Sequence, residues 1–154
     1  HFPQGKEAVF VAAISRGCAD LFDRAFVEID AGGELEASLA QLAEDFAAMI
    51  TSDEVTALHA IMLQEGAKHP SLPALFYENA VRRLTMNLAD RLQKEAERGA
   101  ILCPDPSLAA EQFLAMAHGQ IVYRVELGLG ITPKGERRRY AKACAQLFMR
   151  AFRA

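Results

Sequence analysis

The chain has 154 residues, enough for one domain with its own core, and its 51% apolar and 24% charged content is that of an ordinary globular fold. The longest apolar run, residues 8–14, falls far short of the roughly 18 residues that a membrane-spanning helix needs. A net charge of −3 and a pI near 5.8 give no overall electrostatic basis for holding nucleic acid, so any contacts to DNA are expected mainly outside these residues.

Glycine and proline divide the chain into helices. The first is expected over residues 6–29, because Phe10, Ile14, Cys18, Leu21, Ala25 and Ile29 recur at spacings of three and four, and Gly32-Gly33 stops it. A second, residues 35–50, carries Leu35, Leu39, Leu42, Phe46 and Met49 on one face. Thr51 with Glu54 has the capping-box pattern and predicts a third helix reaching His69, where Pro70 blocks continuation. Ser71 and Pro73 open a fourth, which passes Leu75, Leu84, Leu88 and Leu92 and ends at Gly99. Asp105 is placed to cap a fifth, with Pro106 at its first position where a missing N–H costs nothing, and that helix is expected to reach Gly128. Thr132-Pro133 repeats the device for a last helix running toward Phe152. No stretch alternates with period two between hairpin turns, so the fold class is all-α, a bundle of about six helices.

The last two helices have more apolar surface than one core can cover. In the final one, Arg139, Lys142, Gln146, Arg150 and Arg153 form a narrow polar stripe, and Tyr140, Cys144, Leu147, Phe148 and Ala151 occupy much of the rest. The helix before it spreads Phe113, Met116, Ile121, Val122 and Val125 over a wide arc, with small Ala110, Ala117 and Gly119 permitting close approach. A terminal helix pair of this kind is satisfied by its twin in a dimeric four-helix interface, or by another helix of the same chain. The dimer assigns Ile121, Val125, Tyr140, Cys144, Leu147, Phe148 and Ala151 to the interface.

The opening His1-Phe2-Pro3-Gln4-Gly5-Lys6-Glu7 resembles the seam of TetR-family transcriptional regulators, where an aromatic-rich turn after the DNA-reading helix leads into a long connecting helix that starts with Lys-Glu. The stretch Asp105-Pro106-Ser107-Leu108-Ala109-Ala110-Glu111-Gln112-Phe113-Leu114 is similar to the opening of that family's dimerising helix, at the distance from the seam that the family requires. His1 and Gly5 depart from the Tyr and Ser more usual there, and Gly5 caps a helix less firmly than a hydroxyl would. The resemblance implies that residues 1–5 are the remnant of the turn after the recognition helix and that residues 6–154 are an effector-binding and dimerisation domain. A helix-turn-helix ahead of His1 would then read operator DNA. It further implies that Lys6 meets a backbone phosphate at a helix start; the alternative is a solvated lysine.

The same resemblance implies an interior pocket for a small apolar or amphipathic effector. Phe22, Phe26, Phe46, Met49, Met62, Phe76, Tyr77, Phe113 and Met116 fall where it would lie, with His59 and Gln120 as hydrogen-bonding groups. These residues would equally fill an ordinary core. The implied function is a ligand-responsive regulator, a repressor, in which the effector changes the spacing of two DNA-reading helices. A ligand-free dimeric interaction module is the second reading, and an enzyme with an apolar helical pocket the third. Glu65 and His69 lie one turn apart but lack a third metal ligand at matching spacing, and no phosphate loop, serine elbow or di-iron motif is present. No catalytic residue, metal or cofactor is therefore expected, and no membrane association. Cys18, Cys103 and Cys144, odd in number and widely spaced, argue against a disulfide framework and point to a reducing, cytoplasmic setting. The basic run Arg137-Arg138-Arg139 reads as a solvated helix start, since its three side chains point in different directions.

Overall fold

The computed structural model describes residues 4–30 and 32–154, and every regular element among them is helical. In chain order these are α1 (Gln4–Asp30), α2 (Leu35–Ile50), α3 (Asp53–Glu65), α4 (Ser71–Phe76), a π-helical turn (Tyr77–Arg82), α5 (Arg83–Glu97), α6 (Pro106–His118), α7 (Ile121–Glu126) and α8 (Lys134–Phe152). Helix α4, the π turn and α5 follow one another without a gap, and α7 follows α6 after a break at Gly119; with each of these two runs taken as one unit, the expected six-helix all-α bundle is what forms. Of the seam, His1–Pro3 and the side chain of Lys6 lie outside the described residues, as do the side chains of Phe10 and Ile29.

One apolar cluster holds the bundle together, drawn from α1, α2, α5, α6, α8 and the segment 101–103. Leu39, Leu42, Leu88 and Leu92 are completely buried in it, and each contributes about 1.5–3 kcal/mol relative to an exposed side chain. Alanines at positions 43, 141 and 145 let α2 and α8 approach closely, and the ion pairs Glu44–Arg138 (3.3 Å) and Glu36–Arg153 (3.8 Å) show that the two run antiparallel. Both pairs are partly solvated, so they set orientation more than stability. Neither α3 nor α7 contributes a residue to the cluster.

Local signals account for most boundaries. Asp105 Oδ1 accepts the Leu108 N–H at 3.0 Å and Pro106 takes the first turn of α6, as expected. Gly99, at φ 81°, closes α5: its N–H donates to the Ala96 carbonyl and that of Ala100 to the Glu95 carbonyl, a Schellman pair. Beyond it, Leu102 N–H donates to the Phe152 carbonyl at 2.7 Å, so this segment also satisfies the end of α8.

Four boundaries differ from expectation. Ser52, not Thr51, caps α3, accepting the Val55 N–H at 3.3 Å; Thr51 instead donates to the Ala47 carbonyl at 2.7 Å and closes α2, whose orphan carbonyls are nearer. Helix α3 ends at Glu65 rather than His69, in a turn whose Lys68 and His69 N–H groups return to the Glu65 carbonyl. The π turn interrupts the fourth helix. Leu72 and Leu84, twelve positions apart, would diverge by roughly 120° on an uninterrupted α-helix, and the one residue absorbed by a π turn brings them back to within roughly 20°. Both are buried. The fourth difference is the break between α6 and α7 at Gly119, which shapes the candidate site.

No single described helix is long and apolar enough to cross a membrane. The pair α2 and α3 has the length and apolarity together, but it bends by 60° and α2 spends its apolar face on the core.

Candidate effector site

The core is built around aromatic pairs. Phe22 stacks on Phe26 with ring centroids 4.6 Å apart, and the Arg91 guanidinium lies over the Phe26 ring at 5.1 Å. Arg91 in turn meets Glu95 at 3.5 Å, a carboxylate that is only 3% exposed and is also paired with Arg98 at 3.1 Å. Across the bundle, Phe113 meets Phe148 edge-on at 5.6 Å, and Phe148 packs on Phe152 at 4.6 Å.

Six of the side chains expected to line a ligand pocket therefore come together: Phe26 and Phe113 wholly inside the cluster, Phe22, Phe46, Met49 and Met116 partly buried against it. Others do not join them. Met62 is buried outside that cluster, Phe76 is half-buried, and Tyr77 is exposed. Gln120 is exposed at the start of α7, where its side chain makes no capping bond. His59 is half-exposed on α3, its Nδ1 3.0 Å from Glu126 Oε1 on α7, and so links the two helices that the main core leaves out. The Glu126 partner had no signature in sequence, since nothing local connects positions so far apart in the chain.

The break at Gly119 is a tertiary feature. Gly119 adopts φ 51° and ψ −145°, a backbone region open essentially to glycine alone, and a Cβ there would sit 3.1 Å from the Tyr140 hydroxyl and 3.2 Å from its ring. Ending α6 leaves the Met116 carbonyl without its helical partner. The Tyr140 hydroxyl donates to it at 2.7 Å and the Cys144 thiol approaches it at 3.7 Å. Burial pushes the Tyr140 phenol above its ordinary range, and the neighbouring Cys144 adds to the shift. The Cys144 thiol is also raised, by burial first, against a smaller opposing effect of its hydrogen bond with Tyr140.

Among the residues assigned to a dimer face, Cys144 and Phe148 are buried in the chain's own core. Tyr140, Leu147 and Ala151 stay exposed on one side of α8, while Ile121 and Val125 are half-buried on α7. Tyr123, Leu127, Leu129 and Ile131, all exposed, extend the apolar surface from α7 through the loop to α8. An open groove of about 630 Å³ lies between α1, α2 and α8, and none of the expected ligand-binding residues lines it. Among the described residues no three His, Cys, Asp or Glu side chains converge as metal ligands.

Residues 37–154 match the family model of the AefR-like transcriptional repressor C-terminal domain. The fold is similar to that of a putative TetR-family transcriptional regulator from Mesorhizobium loti MAFF303099, with a TM-score of 0.77 and 23% identity over 97% of this chain and 76% of that one. It is also similar to the flavonoid-responsive regulator FrrA, with a TM-score of 0.78 and 26% identity over 96% of this chain and 75% of that one. No curated protein sequence matches the chain. With the model matching most of its length and the same bundle in both solved structures, the chain belongs to the TetR family of transcriptional regulators, through a C-terminal domain of the AefR-like type.

Proposed function

We propose that residues 6–154 are the sensing and dimerising part of a cytoplasmic repressor whose helix-turn-helix precedes residue 1, and that residues 1–5 are the turn between them. Family membership over residues 37–154 carries this reading. The solved relatives are longer, with about a quarter of each outside the similarity, which leaves room for a DNA-reading domain. Helix α1, 27 residues and thus about 40 Å long, is the strut between the two parts, and Lys6 at its start meets a backbone phosphate. The effector is a small apolar or amphipathic molecule. It enters beside α3, which adds no residue to the main apolar cluster, against Phe46, Met49 and Met116, displacing the solvated His59–Glu126 contact. Binding that favours one tilt of α1 over another then changes the spacing of the two DNA-reading helices.

A thermal-shift series with apolar and amphipathic compounds tests the sensor. Flavonoids belong in it, because FrrA responds to them. A ligand at about one hundred times its Kd should stabilise the fold by about 2.7 kcal/mol. A Met49→Ala or Met116→Ala variant should weaken that response. A dimer that no compound stabilises would instead support a ligand-free interaction module.

A further inference from the structure

The groove between α1, α2 and α8 is chemically unlike the bundle interior. Among the described residues its wall carries Arg24, Arg138 and Lys142 against one carboxylate, Glu44. Three cations less one anion give these described residues a charge of +2 in a chain whose net charge is −3. Glu44 is engaged by Arg138 at 3.3 Å, so Arg24 and Lys142 have no carboxylate partner among the described residues. Ser38 forms part of the same wall. It is 2% exposed and its hydroxyl has no hydrogen-bond partner among the described residues, although a buried helical serine can turn back to the carbonyl four residues earlier. A buried hydroxyl left in that state costs free energy that a ligand oxygen would recover. Val27, Ala37 and Ala40 supply apolar wall beside the cations.

We propose that this groove is a second binding site, which takes a small organic acid. Its carboxylate lies between Arg24 of α1 and Lys142 of α8, the Ser38 hydroxyl, covered in the free protein, turns to donate to it, and its apolar body rests on Val27, Ala37 and Ala40. Two cations on different helices suit one carboxylate, and the apolar wall selects an organic acid over an inorganic ion. On α8, Arg138 and Lys142 lie on the flank opposite Tyr140, Leu147 and Ala151, so a dimer formed through those residues leaves the groove open. An acid held there ties the connecting strut to the terminal helix.

Calorimetric titration of the chain with hexanoate, hexanamide and inorganic phosphate tests the assignment. Hexanoate should bind saturably and hexanamide should not. The double variant Arg24→Gln/Lys142→Gln, whose sites are exposed and whose helicity circular dichroism checks, should bind hexanoate at least about tenfold more weakly. Ser38→Ala should also weaken it while leaving the acid-free melting temperature unchanged or higher. Hexanoate binding of equal strength in the double variant would overturn the proposal, placing the acid elsewhere and leaving the effector reading intact. Equal binding of hexanamide, or binding of phosphate without hexanoate, would overturn it as well.

Discussion

The Met116 carbonyl shows how one backbone group can decide what its neighbours must be. Once α6 stops at His118, that oxygen needs a donor, and Tyr140 supplies it at 2.7 Å from 24 positions away. Tyr140→Phe should cost about 0.5–1.5 kcal/mol in urea unfolding, since the thiol at 3.7 Å is a poor substitute. Gly119→Ala should cost about 1–3 kcal/mol, because it adds both an unfavourable φ and a contact with the Tyr140 ring. A melting temperature within a degree of wild type would show that the turn relaxes freely. The same corner should respond to pH. The Cys144 thiol and Tyr140 phenol are both raised in the folded state, and so is Cys18, chiefly by burial against a smaller effect of Arg83. Groups held protonated this way add stability that is complete below their unfolded pKa values and is lost as pH rises through the folded ones. The melting temperature should therefore fall on the alkaline side, above about pH 8.5, and Cys144→Ala should flatten part of that fall.

Helix boundaries depend on short-range chemistry where a cap or a stop is present, and on distant contacts where it is not. Asp105 and Pro106 start α6 through a contact three residues long, which is legible in sequence; Asp105→Ala should cost about 1 kcal/mol, read as a lower midpoint in urea at unchanged slope. Gly99 likewise announced the end of α5. The cap of α3 falls one position later than the capping-box pattern implies because Thr51 and Ser52 offer the same hydroxyl, and only the carbonyls left over at the end of α2 decide which residue turns back. The break at Gly119 has no local signal for a different reason. Glycine inside a helix pattern is tolerated when packing demands it, and the ring that needs the space belongs to α8.

The bundle as a whole divides its apolar surface between an interior and a remainder. Cys144 and Phe148 go inside, whereas Tyr140, Leu147 and Ala151 do not, although all five lie on the broad apolar arc of α8. The dimer proposed through the α7–α8 surface therefore predicts that Leu147→Glu lowers the mass found by light scattering to that of one chain. Cys144→Ser, acting in the core, should lower stability without changing that mass. A Leu147→Glu protein that remained a dimer would move the interface off α8. Six of the side chains proposed to receive an effector gather in or against the core, but Tyr77 and Gln120 lie exposed, because type and helical phase locate a residue on its own helix and not relative to the others.

The order of the helices, the apolar stripe of α2, the α6 cap and the all-α class were all legible in the amino-acid sequence, because each rests on groups within about one turn of each other. The break at Gly119, the π turn that re-phases the Leu84–Leu92 stripe, the His59–Glu126 link and the cationic groove required the tertiary structure. In each of these, the deciding neighbour is contributed by another helix or by the depth of burial, and neither quantity exists until the helices have packed.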